Sequence, residues 1–374
     1  MLIDSTLREG AQQYGTYLDT GARCSILHGL LELGVEEIEM GWPGQEGLEE
    51  VFAWARRHAT ATTLGLWAPC RERDILRARK YTPDILSIGI PVSEEHISRR
   101  LGRDRDSLPA LAASGVRAAL EAGHPAVSLG LEDASRADRA FALEVARAAL
   151  EAGASRIRLS DTRGQLAPLD VARLVGFFRE KLDTALAVHC HDDFGMATAN
   201  AATALNEGAD YADAALLGTG ERSGIAATEE LAAYLSLVSG RRSYGLHGIG
   251  ELCGLFAREA GLALPRNKAV AGRDIFACES GLHAQAPEVF DPYDPVETGG
   301  QRRVGVGAKS GNAAVRRELE RLGLHCPESA FPRLVAAVRA EARLLERPLT
   351  EKELGDAVSS VVSRHEVSTS GSNG

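Results

Sequence analysis

The sequence contains no run of about 18 apolar residues, the length a membrane-spanning helix needs, so no membrane partner is expected. Its first residues, MLIDSTLREG, lack a basic stretch followed by an apolar core, and no signal peptide is expected. There is no basic block either. Arginines are interspersed with acids, as in LEEVFAWARRHA, and the net charge is -10, which argues against nucleic acid as a partner. The six cysteines (Cys24, Cys70, Cys190, Cys253, Cys278, Cys326) show no CxxC spacing. That excludes a dense disulfide framework and fits a reducing cytoplasm. No GxGxxG follows the first strand-like run, which counts against a dinucleotide-binding open sheet.

What is present is a regular alternation. Eight short β-branched or apolar runs occupy the first two-thirds of the chain: LIDST, EEIEMGW, TTLGLWA, ILSIGIPV, AVSLGLED, RIRLSDT, LAVHCHDD and YADAALLG. Amphipathic stretches rich in Ala, Glu and Arg separate them. Several of these close on glycine just before the next run, at Gly34, Gly123, Gly153 and Gly208, with Gly115 a weaker candidate. Strands alternating with helices imply parallel βαβ units, and eight units are the count of a closed (β/α)8 barrel; an open doubly wound sheet is the runner-up.

Beyond residue 265 the pattern changes. Residues 266–305 are rich in Gly, Pro and polar groups and read as a linking subdomain. Residues 306–366 carry three helical patterns, the last opened by a capping arrangement of Thr350 with Glu353. Residues 367–374 read as a disordered tail.

In a parallel barrel the reactive residues stand at the C-terminal strand ends. His189 and His191 are two apart on the seventh run, so strand geometry sends both imidazoles to one face. With Glu9 after the adjacent first strand, they form a carboxylate–imidazole set suited to Zn, Mn, Co or Fe. The alternative is a pair of buried, hydrogen-bonded histidines without metal. Cys190 between them should point away and pack. Arg8 would be a buried charge needing a partner or a function. The glycines of GTGERSG, residues 218–224, allow backbone N–H groups to approach an anion, and a tight turn explains them equally well.

Together, IDSTLREGAQ, LSDTRG, VHCHDDFGMATANAATALNEGAD, LGTGERSG and CESGLHAQ resemble the homocitrate synthase and isopropylmalate synthase family, metal-dependent barrels that include 3-hydroxy-3-methylglutaryl-CoA lyases. GRDRDSL with GLEDASRAD looks closest to the nitrogen-fixation-type homocitrate synthases. The resemblance implies condensation of acetyl-CoA with a 2-oxo acid on a divalent metal (Zn, Mn, Mg or Co) held by Glu9, His189 and His191. It assigns catalytic roles to Arg8, Glu132 and His283, the oxo-acid carboxylate to Thr162, and a contact with the oxo acid or the acetyl group to Gln12. His283 would reach the partner subunit's site, implying a homodimer.

The oxo-acid pocket departs from the lysine-pathway pattern. Trp67 stands where a histidine is usual, Ser128 where an arginine is usual, and Ser87 where an aspartate is expected. Arg163 replaces an apolar residue and could supply a charge for an anionic distal group. Cys278 and Glu288 also depart, and a GKHSG element reads GAKSG at Gly307–Gly311. The sequence therefore points to a homocitrate synthase-like enzyme. The alternatives are isopropylmalate-, citramalate- or phosphonomethylmalate-type synthases and a hydroxymethylglutaryl-type lyase.

Overall fold

A computed structural model describes residues 1–279 and 287–370. The chain forms two compact units, Met1–Leu264 and Pro265–Gly374. His283 lies outside the described residues, as do 371–374. No helix among the described residues is long and apolar enough to cross a membrane.

The first unit is a closed barrel of eight strands in sequence order. These are β1 (Leu2–Asp4), β2 (Glu37–Glu39), β3 (Thr63–Pro69), β4 (Ile85–Pro91), β5 (Val127–Glu132), β6 (Arg156–Asp161), β7 (Ala185–Cys190) and β8 (Tyr211–Ala214). Every neighbouring pair is parallel, and β8 closes on β1 through Ala212, Asp213 and Ala214. The eight expected runs are these eight strands. Helices return the chain on the outside, among them Thr20–Leu33, Leu108–Glu121, Arg139–Glu151 and Pro168–Lys181. Asp19 and Asp138 start two of them by accepting from the backbone N–H groups of Ala22 (2.7 Å) and Phe141 (2.8 Å). Gly34, Gly123, Gly153 and Gly208 follow helix ends with positive φ, as expected. Gly115 does not. It lies inside Leu108–Glu121, where a Cβ would run into the Cys70 sulfur, so its role is close packing.

The apolar core fills the layer between strands and helices. The barrel interior is instead charged. Alternation on β2 sends Glu37 and Glu39 inward, and on β6 it sends Arg156 and Arg158 inward to meet them. Arg156 grips both carboxylate oxygens of Glu37 at 2.7 and 2.8 Å and donates to the Ser128 hydroxyl at 3.2 Å. One layer higher, Arg158 donates to Glu39 at 2.7 Å. Buried charges persist only when paired in this way; removing one partner typically costs about 3–5 kcal/mol.

In the second unit Ala277–Cys278 pairs in parallel with Arg303–Val304. Three helices follow, Asn312–Leu322, Phe331–Leu345 and Glu351–Ser370. Phe331, Leu334, Val335, Val338 and Ala342 recur at helical spacing on one buried face, and the first four pack with Val315, Leu319 and Leu354. The Thr350–Glu353 capping box is formed: Thr350 N–H donates to the Glu353 carboxylate at 2.8 Å, and Glu353 N–H donates to the Thr350 hydroxyl at 3.3 Å. The last helix runs to Ser370, into the stretch the sequence assigns to the tail. In GAKSG, Ser310 is buried and its hydroxyl accepts from Gly307 N–H at 2.9 Å, while Lys309 is exposed.

Asp4 at the end of β1 is fully buried. Burial lifts its carboxyl to about 6, against hydrogen bonds from the Thr228 hydroxyl (2.6 Å) and the Thr6 N–H (2.9 Å). A raised folded-state value favours the protonated form. Its stabilising contribution is therefore present at low pH and is lost as the pH rises through about 6. Between pH 4 and 7 the wild type should lose roughly 2 kcal/mol relative to Asp4→Asn. Denaturant midpoints of the two proteins across that range measure it; parallel pH curves would contradict the assignment.

Candidate metal centre and active site

The strand ends of the barrel surround a cavity of about 290 Å³. His189 from β7 and His191 just beyond it enter from one side. Glu9 enters from the turn after β1, which the Gly10–Gln12 helical turn follows. All three are buried, and one donor atom from each lies within 4.8 Å of the others.

The second contacts of these residues fix what they can bind. His189 Nδ1 faces the Asp213 carboxylate at 2.8 Å, and His191 Nδ1 faces the Gly224 carbonyl at 3.2 Å. Both partners only accept, so both Nδ1 atoms carry the proton. The Nε2 lone pairs then converge 3.4 Å apart, with a Glu9 oxygen 4.0 Å from that of His189. Two lone pairs and a carboxylate aimed at one point suit a shared cation. The imidazole partners match the outer shell that orients metal-binding histidines.

Protonation agrees. Burial, then the neighbouring His189, pushes the His191 imidazole down to about 3, so it is neutral near pH 7. Burial opposes ionisation of Glu9, but Arg8, the two imidazoles and the Glu221 N–H outweigh it and bring Glu9 down to about 2. That N–H donates to Glu9 at 3.0 Å. The anion approached by the GTGERSG backbone is thus the Glu9 carboxylate. Gly224 has φ +84, and any Cβ there would strike the Gly218 carbonyl; a side chain would break the turn that delivers both contacts.

Arg8 is buried and ion-paired to Glu9, and its Nε donates to Glu39 at 2.8 Å. Burial disfavours its charge, but Glu39 and then Glu9 more than restore it. Its guanidinium lies 5.6 Å from the centre of the Trp67 ring. Glu132 at the end of β5, Thr162, Gln12 and Trp67 line the same cavity. The structure therefore brings together Arg8, Glu9, Gln12, Trp67, Glu132, Thr162, His189 and His191.

Ser128 and Arg163 stand apart from that group. Ser128 is completely buried, four residues before Glu132 on β5, against Arg156 and below the cavity. Gly130 lines the cavity from that strand instead. Arg163 is half exposed, its Nη1 3.9 Å from Glu95, and is not among the cavity-lining residues. Cys190 is buried, its thiol pushed far up by burial and then by Asp161 and Asp213, as its packing role requires. Asp133, Asp161 and Asp192 shape loops: Asp133 accepts from the Ser93 hydroxyl at 2.5 Å, Asp161 from Leu166 N–H at 2.8 Å, and Asp192 from Ala197 N–H at 2.7 Å.

The sequence reading missed Glu39, Arg158, Asp213 and Arg100. Arg158 and Arg100 line the cavity; Glu39 and Asp213 support it. The signal was present for the first two, since Glu-x-Glu and Arg-x-Arg on two strands put like charges on one face each.

Asp213 holds the His189 tautomer, so Asp213→Asn should weaken divalent-metal binding about 10- to 100-fold, the usual cost of losing such a partner. His189→Ala should abolish stoichiometric binding. Metal content after dialysis against a graded chelator measures both; unchanged retention in His189→Ala would refute the site.

Residues 1–252 match the HMGL-like family. The 2-isopropylmalate synthase 2 of Caldanaerobacter subterraneus subsp. tengcongensis is 33% identical over 360 residues, covering 94% of this chain and 93% of that protein. The homocitrate synthase of Frankia alni is 36% identical over 330 residues, covering 86% and 93%. The 2-phosphonomethylmalate synthase of Streptomyces rubellomurinus is 33% identical over 347 residues, covering 91% and 92%. Among solved structures, the hydroxymethylglutaryl-CoA lyase of Pseudomonas aeruginosa matches with a TM-score of 0.63 at 21% identity, over 73% of this chain and 96% of that one, a likeness of fold. Barrel, site and relatives place this chain in the HMGL-like family, with the homocitrate and 2-isopropylmalate synthases among its relatives.

Proposed function

We propose that this protein joins the methyl carbon of acetyl-CoA to the ketone of a 2-oxo acid, giving a 2-hydroxy-2-carboxymethyl acid and free CoA, in the manner of a homocitrate synthase. The observation that carries this reading is the convergence of a Glu–His–His set, a buried guanidinium and a separate carboxylate on one cavity. A metal set alone fits many reactions. A metal set with a positioned anion-stabilising cation and a carboxylate outside that set as base fits carbon–carbon bond formation from a weakly acidic methyl group.

Glu9, His189 and His191 would hold the divalent cation (Zn, Mn, Mg or Co), which when bound supplies Lewis-acid polarisation of the ketone. Arg8 presents its fixed positive charge to the oxygen that becomes anionic. Glu132 takes a proton from the acetyl methyl group, breaking that C–H bond and leaving an enolate. The enolate carbon bonds to the keto carbon, and the keto oxygen gains a proton. Water then cleaves the thioester, releasing the CoA thiol and a carboxylate. Thr162 and Gln12 orient the oxo acid. His283 completes proton transfer from the partner subunit of a homodimer; this part rests on the family resemblance.

A second carboxylate on the oxo acid is favoured by Arg158, which is buried on the cavity wall with its Nη2 unbonded among the described residues. We therefore expect 2-oxoglutarate to outrank pyruvate, 2-oxoisovalerate and phosphonopyruvate in kcat/KM when free thiol is followed with acetyl-CoA. No thiol release with any of them would overturn the reading. Arg163→Ala should leave the oxo-acid KM unchanged. Mixing inactive Glu9→Ala and His283→Ala proteins should restore activity, because a mixed dimer contains one intact site; no recovery after verified subunit exchange would place His283 in its own subunit's site or outside the chemistry.

A further inference from the structure

The Glu132 carboxylate is held from two sides. Beyond β4 the chain makes a single wide π-helical turn, Ile97–Leu101, whose Arg100 reaches back over the cavity. Arg100 Nη1 donates to Glu132 Oε2 at 2.7 Å and lies 3.3 Å from His96 Nδ1. The other oxygen, Oε1, occupies the space where any residue but glycine at position 89 would place its Cβ, beside the Trp67 ring. The backbone adds a third constraint. Asp133, directly after Glu132, has φ 61, a left-handed conformation uncommon outside glycine and tolerated best by asparagine and aspartate. It is held there by Arg136 (2.5 and 3.1 Å), the Ser93 hydroxyl (2.5 Å) and the Thr162 hydroxyl, which accepts its N–H at 2.8 Å.

This is more than a surface salt bridge. Arg100 is half exposed at 52%, so its own packing adds little stability, yet its partner is the cavity carboxylate. Arg8 and Arg158, the other cavity-lining arginines, are already pinned to Glu39. Arg100 is the cavity-lining guanidinium turned to Glu132.

Resting on the proposed function, we infer that Arg100 is a positioning residue for Glu132: it and the bare Gly89 hold the carboxylate where it can reach the acetyl proton. A positioned base contributes about 10²- to 10⁴-fold to a rate, and misplacing it forfeits part of that factor. Arg100→Met should therefore lower kcat roughly 10- to 100-fold while leaving the oxo-acid KM and the metal content unchanged. The contact is a single hydrogen bond, so Arg100→Lys should recover much of the loss. Gly89→Ala, which displaces Oε1, should lower kcat in the same way.

The decisive experiment measures kcat and KM for Arg100→Met, Glu132→Gln and the double variant, with circular dichroism and metal content for each. The inference predicts that Arg100→Met has no further effect once Glu132 is glutamine. A raised oxo-acid KM with unchanged kcat would make Arg100 a substrate contact and overturn it. So would multiplicative losses in the double variant. If Glu132→Gln is inactive and Arg100→Met is fully active, the inference fails and the proposed function stands. If Glu132→Gln is itself fully active, both fail.

Discussion

The site depends on one buried carboxylate that touches no metal ligand. Glu39 on β2 receives Arg8 on one oxygen, along with the Ser5 hydroxyl at 2.7 Å, and Arg158 on the other. Arg8 then pairs with Glu9, and Arg158 lies 3.3 Å from Asp213, which fixes His189. Two of the three proposed metal ligands are therefore tied to Glu39, Glu9 through Arg8 and His189 through Asp213 and Arg158. Burial disfavours the charge on Glu39, but Arg158 and then Arg8 outweigh it and hold its carboxyl far below the usual range. Each charge in this lattice is costly without its neighbours.

This arrangement explains why a barrel interior that could be apolar is not. An apolar filling of similar volume would often be as stable or more so. It could not orient ligands. A guanidinium held by two carboxylates cannot swing away, and an imidazole with its Nδ1 committed presents Nε2 in one direction. The structure gives up some packing stability to fix three donor atoms. The cavity wall formed by β3, β4 and β5 is built differently, from Trp67, Gly89 and Gly130, which leave room beside Glu132.

The sequence made the strands and the metal set legible because both follow from short-range geometry. Period-two spacing alone sends His189 and His191 to one face, and glycine after a helix marks four of the returns. What it did not show depends on register between strands. Ser128 and Glu132 share a strand, but only the barrel stagger decides that Ser128 sits with Arg156 while Glu132 reaches the cavity. Glu39 and Arg158 are 119 residues apart and meet across the interior. Arg163 follows β6 closely enough to face the cavity, yet its side chain turns outward toward Glu95. Arg100 belongs to a single helical turn too short for any periodicity to encode its path. Gly115 carried a helix-stop signature and instead serves a close helix–strand approach.

The central claim is that the Glu9–His189–His191 set holds a cation required for the condensation. The most direct measurement strips the protein with a chelator and follows thiol release from acetyl-CoA and 2-oxoglutarate while a divalent metal is titrated back. The account predicts no release from the stripped protein and full recovery at one metal per subunit, with no recovery in His189→Ala. Full activity in verified metal-free protein would contradict it.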